Sequence, residues 1–479
     1  MLNQARSISF IIFLLLTLTS VSLGQPDTLW TRYYDRGVWE SPNSIVSTQD
    51  GGVVIGGSIG NSYSERTFWL FKADSLGNML WEHTYQPNIS IFNRASIEDV
   101  LLLEDGRLLL SGYAYPDDET DIRIIMTDDS GIALWEKLIG IPVQGEFVYG
   151  SDHTLDGGFI FAGGQGYWLD NVVLLLKTDS LGNVEWESTY DINQDDFARS
   201  VHQTSDGGFI VGASTMFPDY NYVCCVLKTD SAGELEWQSV FDFGFGLSFV
   251  RDIHETADGG FIGITGEMST DDTVVFKLDA IGNMLWDSRL DIGQTVEFLE
   301  TSDGGHIHTG WTFNRHNNEI FLMKTDSFGN VIWDMLIDNW EYVNVAVFDI
   351  CSTFDGGYFV SSLVQMKPAT GDTWLLRFGP CTYIEGEVLP EGDALSCSCL
   401  PNPFTSLVTV RYNLQDLSNV NISVYDLSGH IVDSWEISQQ SRGEHSFAWI
   451  PDNTLSTGCY TVVVEACGLR TTELCIRIR

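Results

Sequence analysis

The sequence predicts an all-β protein: a seven-bladed β-propeller of four-stranded blades, followed by a small Ig-like β-sandwich. Two observations lead to this prediction. A unit of about 50 residues recurs along most of the chain, and short polar turns separate its apolar strands. Near residue 380 the repeat ends, and a cysteine-rich stretch with short alternating strands begins.

Two signatures mark the repeat. The first is an Asp-Gly turn before an apolar strand, as in TSDGGFIVG at residues 204–212, and the second is a turn that leads to a tryptophan, as in LLKTDSLGNVEW at residues 175–186. Each signature occurs seven times, which predicts seven blades. The turn aspartates are Asp50, Asp105, Asp156, Asp206, Asp258, Asp303 and Asp355, and the tryptophans are Trp30, Trp81, Trp135, Trp186, Trp237, Trp286 and Trp333.

Each unit contains four strand patterns joined by turns and short loops. In one unit they are ARSVHQT, GGFIVGAS, YVCCVLKT and ELEWQSV, between residues 198 and 240. None of the connecting segments has the helical periodicity that a parallel sheet needs for its crossovers. A four-stranded antiparallel sheet repeated at this period is typical of a propeller blade.

The order of the signatures predicts how the ring closes. The segment DTLWTRYY at residues 27–34 is a tryptophan strand with no turn strand before it, whereas the last unit, at residues 355–378, lacks a tryptophan strand. We therefore expect the N-terminal strand to complete the last blade, which leaves no unpaired sheet edge.

Both signatures are interpreted as structural. Aspartate and glycine suit tight hairpin turns, because aspartate bonds to its own turn and glycine adopts positive φ. The tryptophan motif resembles the docking motif of quinoprotein propellers, a likeness that implies blade packing and not cofactor binding. It does not match the Asp-box of sialidase-like propellers, S-x-D-x-G-x-T-W, because Trp186 lies seven residues after Asp179 instead of five.

The N-terminus and the charge limit the possible locations and partners. Arg6, an apolar run at residues 10–21, and small Ser22 and Gly24 predict a signal peptide over residues 1–24, so the mature chain is expected to leave the cytoplasm without a transmembrane segment. The net charge of −42 would repel a phosphate backbone, which argues against nucleic acid as a partner. With 44% hydrophobic residues the chain is nevertheless core-forming.

No sequence motif indicates a catalytic centre, a cofactor or a metal. His306 and His308 alternate on one strand and are compatible with a metal pair, but no third ligand is identifiable, so no metal site is predicted. His202 and His254 each lie four residues before their turn aspartate and are interpreted as repeat positions of inner strands. We assign no catalytic residue and no cofactor.

The connections opposite the Asp-Gly turns differ in every unit, and we call this side of the ring the loop face. Its aromatic and acidic residues are of the kinds that stack on sugars or anchor protein interfaces, although surface loops are polar and variable in any case. The candidate ligand-binding residues are Trp39, Tyr115, Tyr167, Trp168, Tyr220, Trp340 and Tyr342.

A different composition begins near residue 380. Five strand patterns between residues 407 and 478 predict a small antiparallel sandwich. In an exported chain its cysteines favour disulfides over a metal site. They are Cys381, Cys397, Cys399, Cys459, Cys467 and Cys475.

The segments PNPF (401–404), YNL (412–414), ISVYDLSGHIVDSW (422–435) and GEHSFAWIPDNTLSTGCYTVVVEA (443–466) carry a family resemblance. They resemble the type A C-terminal sorting domain of the type IX secretion system, which is related to the Ig-like domain of flagellar hook-capping proteins. The cysteines depart from that pattern. The resemblance implies secretion machinery as a partner and release or attachment at the outer surface.

These observations predict four segments: a signal peptide at residues 1–24, the propeller at 25–380, a linker at 381–400 and a sorting domain at 401–479. The preferred function is a secreted or surface-attached binding and scaffold protein that presents its loop face to a glycan or protein. The alternative is a secreted polysaccharide hydrolase or lyase that uses carboxylates of the same face.

Overall fold

A computed structural model describes residues 25–62, 65–86, 94–115, 120–140, 145–167, 169–218, 221–244, 248–267, 273–301, 303–312, 319–337, 344–367, 370–380, 396–400, 407–414, 418–425, 431–451, 455, 458–466 and 469–477. The chain forms two compact units, Met1–Tyr383 and Ile384–Arg479. The predicted fold class is confirmed: seven four-stranded antiparallel blades precede a smaller two-sheet unit. The described part of the chain contains no helix that is long and apolar enough to cross a membrane.

The two strands nearest the ring axis in each blade are joined by the Asp-Gly turn. The seven inner strands are β2 (Trp39–Ser47), β6 (Ala95–Leu102), β10 (Gly145–His153), β14 (Asp196–Gln203), β18 (Ser248–Glu255), β22 (Gln294–Glu300) and β26 (Asn344–Ser352). The second strands are β3 (Val53–Ser62), β7 (Leu108–Ala114), β11 (Phe159–Gly166), β15 (Phe209–Met216), β19 (Phe261–Glu267), β23 (His306–Thr312) and β27 (Tyr358–Lys367).

The outer half of each blade consists of a third strand and a tryptophan strand. The third strands are β4 (Glu65–Ala73), β8 (Asp121–Thr127), β12 (Asn171–Thr178), β16 (Tyr222–Thr229), β20 (Thr273–Leu278), β24 (Glu319–Thr325) and β28 (Thr370–Phe378). The outer strands are β5 (Met79–Tyr85), β9 (Ala133–Ile139), β13 (Val184–Tyr190), β17 (Leu235–Phe241), β21 (Met284–Leu290), β25 (Val331–Ile337) and β1 (Thr28–Tyr34).

The ring closes through the N-terminal strand. The seventh blade has the order β1-β28-β27-β26, so its outer strand comes from the opposite end of the propeller sequence. The two strands pair antiparallel from Thr28 opposite Phe378 to Tyr34 opposite Thr373. This is the pairing that the order of the sequence signatures predicts, and it covers the edge that β28 would otherwise expose.

Burial follows the position of a strand within its blade. The middle strands, such as β15 and β16, are almost wholly buried because both of their faces contact neighbouring blades. The outer strands, such as β5 and β13, alternate between exposed and half-buried residues because one face meets solvent. Burial on both faces explains why the middle strands are continuous apolar runs in the sequence, whereas burial on one face explains the alternation in the outer strands.

The outer-strand tryptophans pack on a glycine of the next blade. Gly182, in the DSLGN turn of the third blade, has a φ of +72°, and a Cβ there would lie 2.7 Å from the ring of Trp135 in the second blade. Similar contacts join six outer strands to the following turn, including Trp30 with Gly77 across the closure. These tryptophans are half-buried and pack against clusters of fully buried residues from two adjacent blades, so this repeated contact adds to the apolar packing between blades.

The turn aspartates do more than shape a hairpin. In six blades the turn carboxylate pairs with a lysine or arginine from the third strand, at distances of 2.6–2.9 Å. The cation is nearly buried while the aspartate is half exposed; Lys324, for example, is 0% exposed and its partner Asp303 is 41% exposed. Hydrogen bonds from Thr154 and Lys177 lower the pKa of Asp156 to about 2. The aspartate thus neutralises a buried cation, a role beyond the hairpin turn that the sequence predicts.

The second blade supports this account. Its third strand carries Met126 in place of the lysine, and its turn is Asp105-Gly106-Arg107 instead of Asp-Gly-Gly. The Nε of Arg107 donates to Asp105 at 2.7 Å, so a cation is supplied from the turn itself. The blade that lacks a lysine or arginine at this third-strand position is thus the one that carries an arginine in its turn.

The second unit is a sandwich of two sheets. One has the order β29 (Ser396–Leu400), β30 (Val408–Leu414), β33 (Gly443–Trp449), and the other has the order β32 (Ile431–Gln440), β31 (Ser418–Tyr425), β34 (Gly458–Ala466), β35 (Leu469–Arg477). Its core joins both sheets, with Trp449 and Tyr412 from the first and Ile422 and Val462 from the second. The backbone of β29 lies within the residues for which a linker is predicted.

Three cysteines with described side chains, Cys224, Cys225 and Cys351, are free. The side chains of the six C-terminal cysteines, and residues 1–24, lie outside the described part of the chain. The disulfides and the signal peptide therefore stay predictions.

Replacing Gly182 with Ala tests the tryptophan contact. The new Cβ meets both a positive φ and the Trp135 ring, whereas at Gly157, with a φ of +82°, nothing lies within 4 Å. We expect Gly157→Ala to lower the free energy of unfolding by about 1 kcal/mol, and Gly182→Ala to lower it by about 1–3 kcal/mol more. Urea unfolding of the full chain measures both; equal losses would contradict the contact.

Replacing Asp303 with Asn tests the buried cation. The amide keeps the turn hydrogen bonds but leaves Lys324 without its counter-charge. Because Asp303 is 41% exposed, solvent screening reduces the cost below that of a fully buried pair, to about 1–2 kcal/mol. Asp105→Asn is the control, since Arg107 is 37% exposed and stays hydrated. A control variant as unstable as Asp303→Asn would refute the role of the lysine.

Candidate functional site

Every inner strand contains one β-bulge at the same place. The register skips one residue in each strand, and that residue is always the seventh before the turn aspartate. A bulge re-aims one side chain, and here all seven line the central cavity. The bulged residues are Asn43, Glu98, Tyr149, Arg199, Arg251, Val296 and Phe348.

Three adjoining cavities run from the loop face into the ring axis. The central cavity has a volume of about 570 Å³ and is lined by the seven inner strands. A second, of about 640 Å³, shares Asn43, Glu98 and Phe348 with it. A third, of about 380 Å³, shares Tyr149 with the central cavity and Arg94 with the second. We call these three cavities together the funnel.

Three of the seven candidate ligand-binding residues line the funnel. Trp39 lies in the second cavity, with the guanidinium of Arg66 at 5.0 Å from its ring. Tyr115 and Tyr167 lie in the third cavity, and Arg94 lies 5.3 Å from the Tyr115 ring. The other four, Trp168, Tyr220, Trp340 and Tyr342, lie outside the described residues.

The arginines of the funnel are not among the residues predicted from the sequence. Arg199 stacks 4.8 Å from the centre of the Tyr149 ring, and Arg251 lies on the next inner strand. The Nε atoms of both are buried and have no hydrogen-bond partner within the described ranges. Burial, together with the nearby charge of Arg199, lowers the pKa of Arg251 to about 9. Two of the chain's 24 basic residues are thus held close together facing a cavity, in a chain with 66 acidic ones.

Glu98 lies where the central and second cavities meet. Burial raises its pKa to about 7, although Ser96 and the charges of Arg199 and Arg94 oppose the shift. Its carboxylate accepts a hydrogen bond from Asn43 Nδ2 at 3.2 Å. At neutral pH this side chain is therefore divided between its charged and its neutral form.

Carboxylates next to the bulges fasten neighbouring blades. Asp99 accepts hydrogen bonds from the backbone N and the Oγ of Ser151 in the next blade, at 2.9 and 2.7 Å. Asp349 accepts from the backbone N of Ile45 at 2.7 Å, which joins the seventh blade to the first. Burial raises the pKa of Asp349 to about 8. These groups are engaged in holding the ring together.

A cluster of two histidines and two aspartates lies in the central cavity, nearer the Asp-Gly turns. His202 Nε2 lies 3.1 Å from Asp252, and its Nδ1 lies 3.4 Å from Asp152. His254 Nε2 lies 2.5 Å from Asp252. Although burial opposes the charge, the two carboxylates raise the pKa of His202 to about 10. Both histidines occupy inner strands, the repeat positions that the sequence predicts.

His306 and His308 belong to the core. His308 Nε2 contacts Thr325 Oγ1 at 2.9 Å, and its ring stacks on Phe298. Burial lowers the pKa of His306 to about 4. Neither histidine joins a group of three potential metal ligands among the described side chains.

Comparison with known proteins gives one family match. Residues 405–468 match the FlgD Ig-like domain, the domain type related to the one that the sequence resembles. No curated protein matches the chain.

Solved structures with a similar arrangement share little sequence. The WD40 domain of Toxoplasma gondii coronin is 9% identical with a TM-score of 0.45, and 77% of this chain and 90% of that one are covered. Extracellular domains 1–2 of Drosophila Semaphorin 1b are 8% identical with a TM-score of 0.39, and 74% of this chain and 88% of that one are covered. A GH43 β-xylosidase/α-arabinofuranosidase from a compost microbial metagenome is 12% identical with a TM-score of 0.33, and 54% of this chain and 98% of that one are covered. Such distant likenesses assign no ligand or activity.

Proposed function

We propose that the protein is a secreted or surface-attached binding protein whose funnel takes an acidic polysaccharide. The observation that carries the proposal is the combination of half-buried arginines and aromatic rings around one set of cavities. Arginine forms paired hydrogen bonds with carboxylate and sulfate groups, and aromatic faces pack on sugar rings. Both kinds of side chain converge on the funnel.

Next to Arg199 and Arg251 the electrostatics favour an anion over a neutral ligand. Elsewhere the central cavity is lined by carboxyl groups, those of Glu98, Asp99, Asp152, Asp252, Glu297 and Asp349. A buried Nε without a hydrogen-bond partner costs free energy, and an anion bound beside Arg199 and Arg251 could accept a hydrogen bond from it. The net charge of −42 repels acidic chains at long range, but charges are screened beyond about 8 Å at physiological ionic strength. The local arginines therefore control binding inside the funnel, and short acidic segments are favoured over long ones.

Replacing Arg199 or Arg251 with Gln tests this function. We expect either change to weaken binding of acidic oligosaccharides at least about tenfold, equivalent to about 1.4 kcal/mol, in titration calorimetry on the full chain. Lys137→Gln removes the same charge from outer strand β9 and should leave affinity unchanged. Tyr167→Ala should weaken binding with little change in melting temperature, because Tyr167 is 52% exposed.

Three results would refute acidic-glycan binding. They are equal affinity for neutral and acidic oligosaccharides, unchanged affinity in both arginine variants, and binding of acidic peptides without binding of acidic glycans.

A second candidate function, cleavage of polysaccharide as a hydrolase or a lyase, is favoured by Glu98. A carboxyl group with a pKa of about 7 beside a cavity suits a general acid at neutral pH. Hydrolysis would need a second carboxylate, and Asp99, the next residue of the same strand, already accepts a hydrogen bond from Ser151. Release of reducing ends by the wild type but not by Glu98→Gln would support catalysis; no release by the wild type would leave binding alone.

We also propose that the second unit directs export to the cell surface. The match of residues 405–468 to an Ig-like domain and the resemblance of the same region to a sorting domain support this role. Since β29 pairs with β30, the whole unit Ile384–Arg479 should be removed or transferred as one piece.

Fractionation of a host with the matching machinery tests export. Without residues 384–479, we expect the propeller to accumulate in the periplasm, because the address is lost. Fused to an unrelated periplasmic protein, the same residues should carry that protein to the surface. A truncated chain that reaches the surface in normal amounts would disprove the sorting role.

A further inference from the structure

One cluster in the central cavity is not explained by glycan binding. His202, Asp252 and His254 each offer one possible ligand atom, and these atoms all lie within 4.8 Å of one another. We propose that these three side chains form a binding site for a divalent transition metal, with Zn²⁺ as the best fit. The proposal does not depend on what the funnel binds.

The fold places the three ligands together. Asp252 and His254 are two residues apart on β18, so they lie on the same face of the strand. His202 occupies the equivalent repeat position on the neighbouring inner strand β14. The two imidazole rings consequently stack, with their centres 4.2 Å apart. The site is therefore a product of the repeat, built from two adjacent blades.

The distances suit a bound cation after a small adjustment. Asp252 now bridges the two rings, 3.1 Å from His202 Nε2 and 2.5 Å from His254 Nε2. Zn²⁺ binds imidazole nitrogen and carboxylate oxygen at about 2.0–2.2 Å, which requires ligand atoms about 3–3.5 Å apart. A metal would take the place of the protons that these nitrogens now share with Asp252, and would release them to solvent.

The surrounding groups are those that orient metal ligands. Asp152 lies 3.4 Å from His202 Nδ1, the ring nitrogen that faces away from Asp252. Ser200 Oγ donates to Asp252 at 2.5 Å. A carboxylate on the far nitrogen of a histidine fixes its ring and raises its basicity as a ligand. This arrangement of carboxylate, histidine and open side is expected of a metal centre.

The ligand set predicts which metals bind and what remains open. Two imidazoles and one carboxylate suit Zn²⁺ and similar first-row ions, whereas Ca²⁺ and Mg²⁺ prefer oxygen ligands. Three protein ligands leave a fourth position, and the cavity of about 570 Å³ gives room for water or a ligand group there. The competing role is purely structural, with the charged cluster joining adjacent blades and no metal bound.

Zinc titration of the untagged mature chain, stripped with EDTA, tests the proposal. We expect saturable binding near one Zn²⁺ per chain by calorimetry, a rise in melting temperature with Zn²⁺, and neither effect with Ca²⁺ at the same concentration. Asp252→Asn and His254→Gln should abolish this binding. Asp152→Asn should weaken it about 10- to 100-fold, because it removes only an orienting group.

His153→Gln is the matched control, since this exposed histidine follows Asp152 on the same strand and should leave the affinity unchanged. Circular dichroism without metal shows whether each variant folds, and the wild-type titration decides the case if a variant does not. No saturable Zn²⁺ binding by the wild type, or equal Ca²⁺ binding, would overturn the proposal. Retained affinity in folded Asp252→Asn and His254→Gln would do the same.

Discussion

The ring depends on apolar packing between neighbouring blades, and at six of its seven junctions this packing includes the tryptophan of one blade on the turn glycine of the next. A four-stranded blade has two apolar faces and cannot bury both alone, so each blade is stable only between two neighbours. The contact of Trp30 with Gly77 brings the last blade onto the first, and the pairing of β1 with β28 covers the remaining edge. Closure thus converts seven marginal sheets into one cooperative structure.

Two repeated electrostatic devices operate at different radii of this ring. Toward the outside, the turn aspartate neutralises a cation buried beneath the hairpin, as in the pair of Asp303 and Lys324. Toward the axis, aspartates such as Asp99 and Asp349 accept backbone hydrogen bonds from the following blade. Many of the acidic residues therefore have structural partners, and the negative charge of the chain is in part a consequence of the architecture.

The blade count, the strands and the closure could be predicted because they depend on patterns that recur seven times. The arginines proposed to bind a ligand could not, because a bulge has no signature in the alternation of apolar and polar residues. In a regular strand, Arg199 and Arg251 would be taken for outward-facing positions. The structure shows that each is the bulged residue of its strand, which the pairing register skips. A signal existed: when the repeats are aligned on the turn aspartate, the seventh residue before it differs in nearly every blade. The aromatic loop residues were easier to notice, yet only Trp39, Tyr115 and Tyr167 lie within the described residues.

This contrast suggests where function lies in a repeat protein of this kind. Positions that serve packing must be alike in every blade, because every blade makes the same contacts. A site for one ligand cannot be seven-fold, so it has to use positions where the blades differ and where the geometry still brings them together. The seven bulged residues of the inner strands satisfy both conditions. Their backbone has the same place in every blade, whereas their side chains differ. The position of His202 and His254, four residues before the turn aspartate, follows the same rule, because the blades differ there. The other five blades carry Val46, Leu101, Asp152, Leu299 and Cys351 at this position.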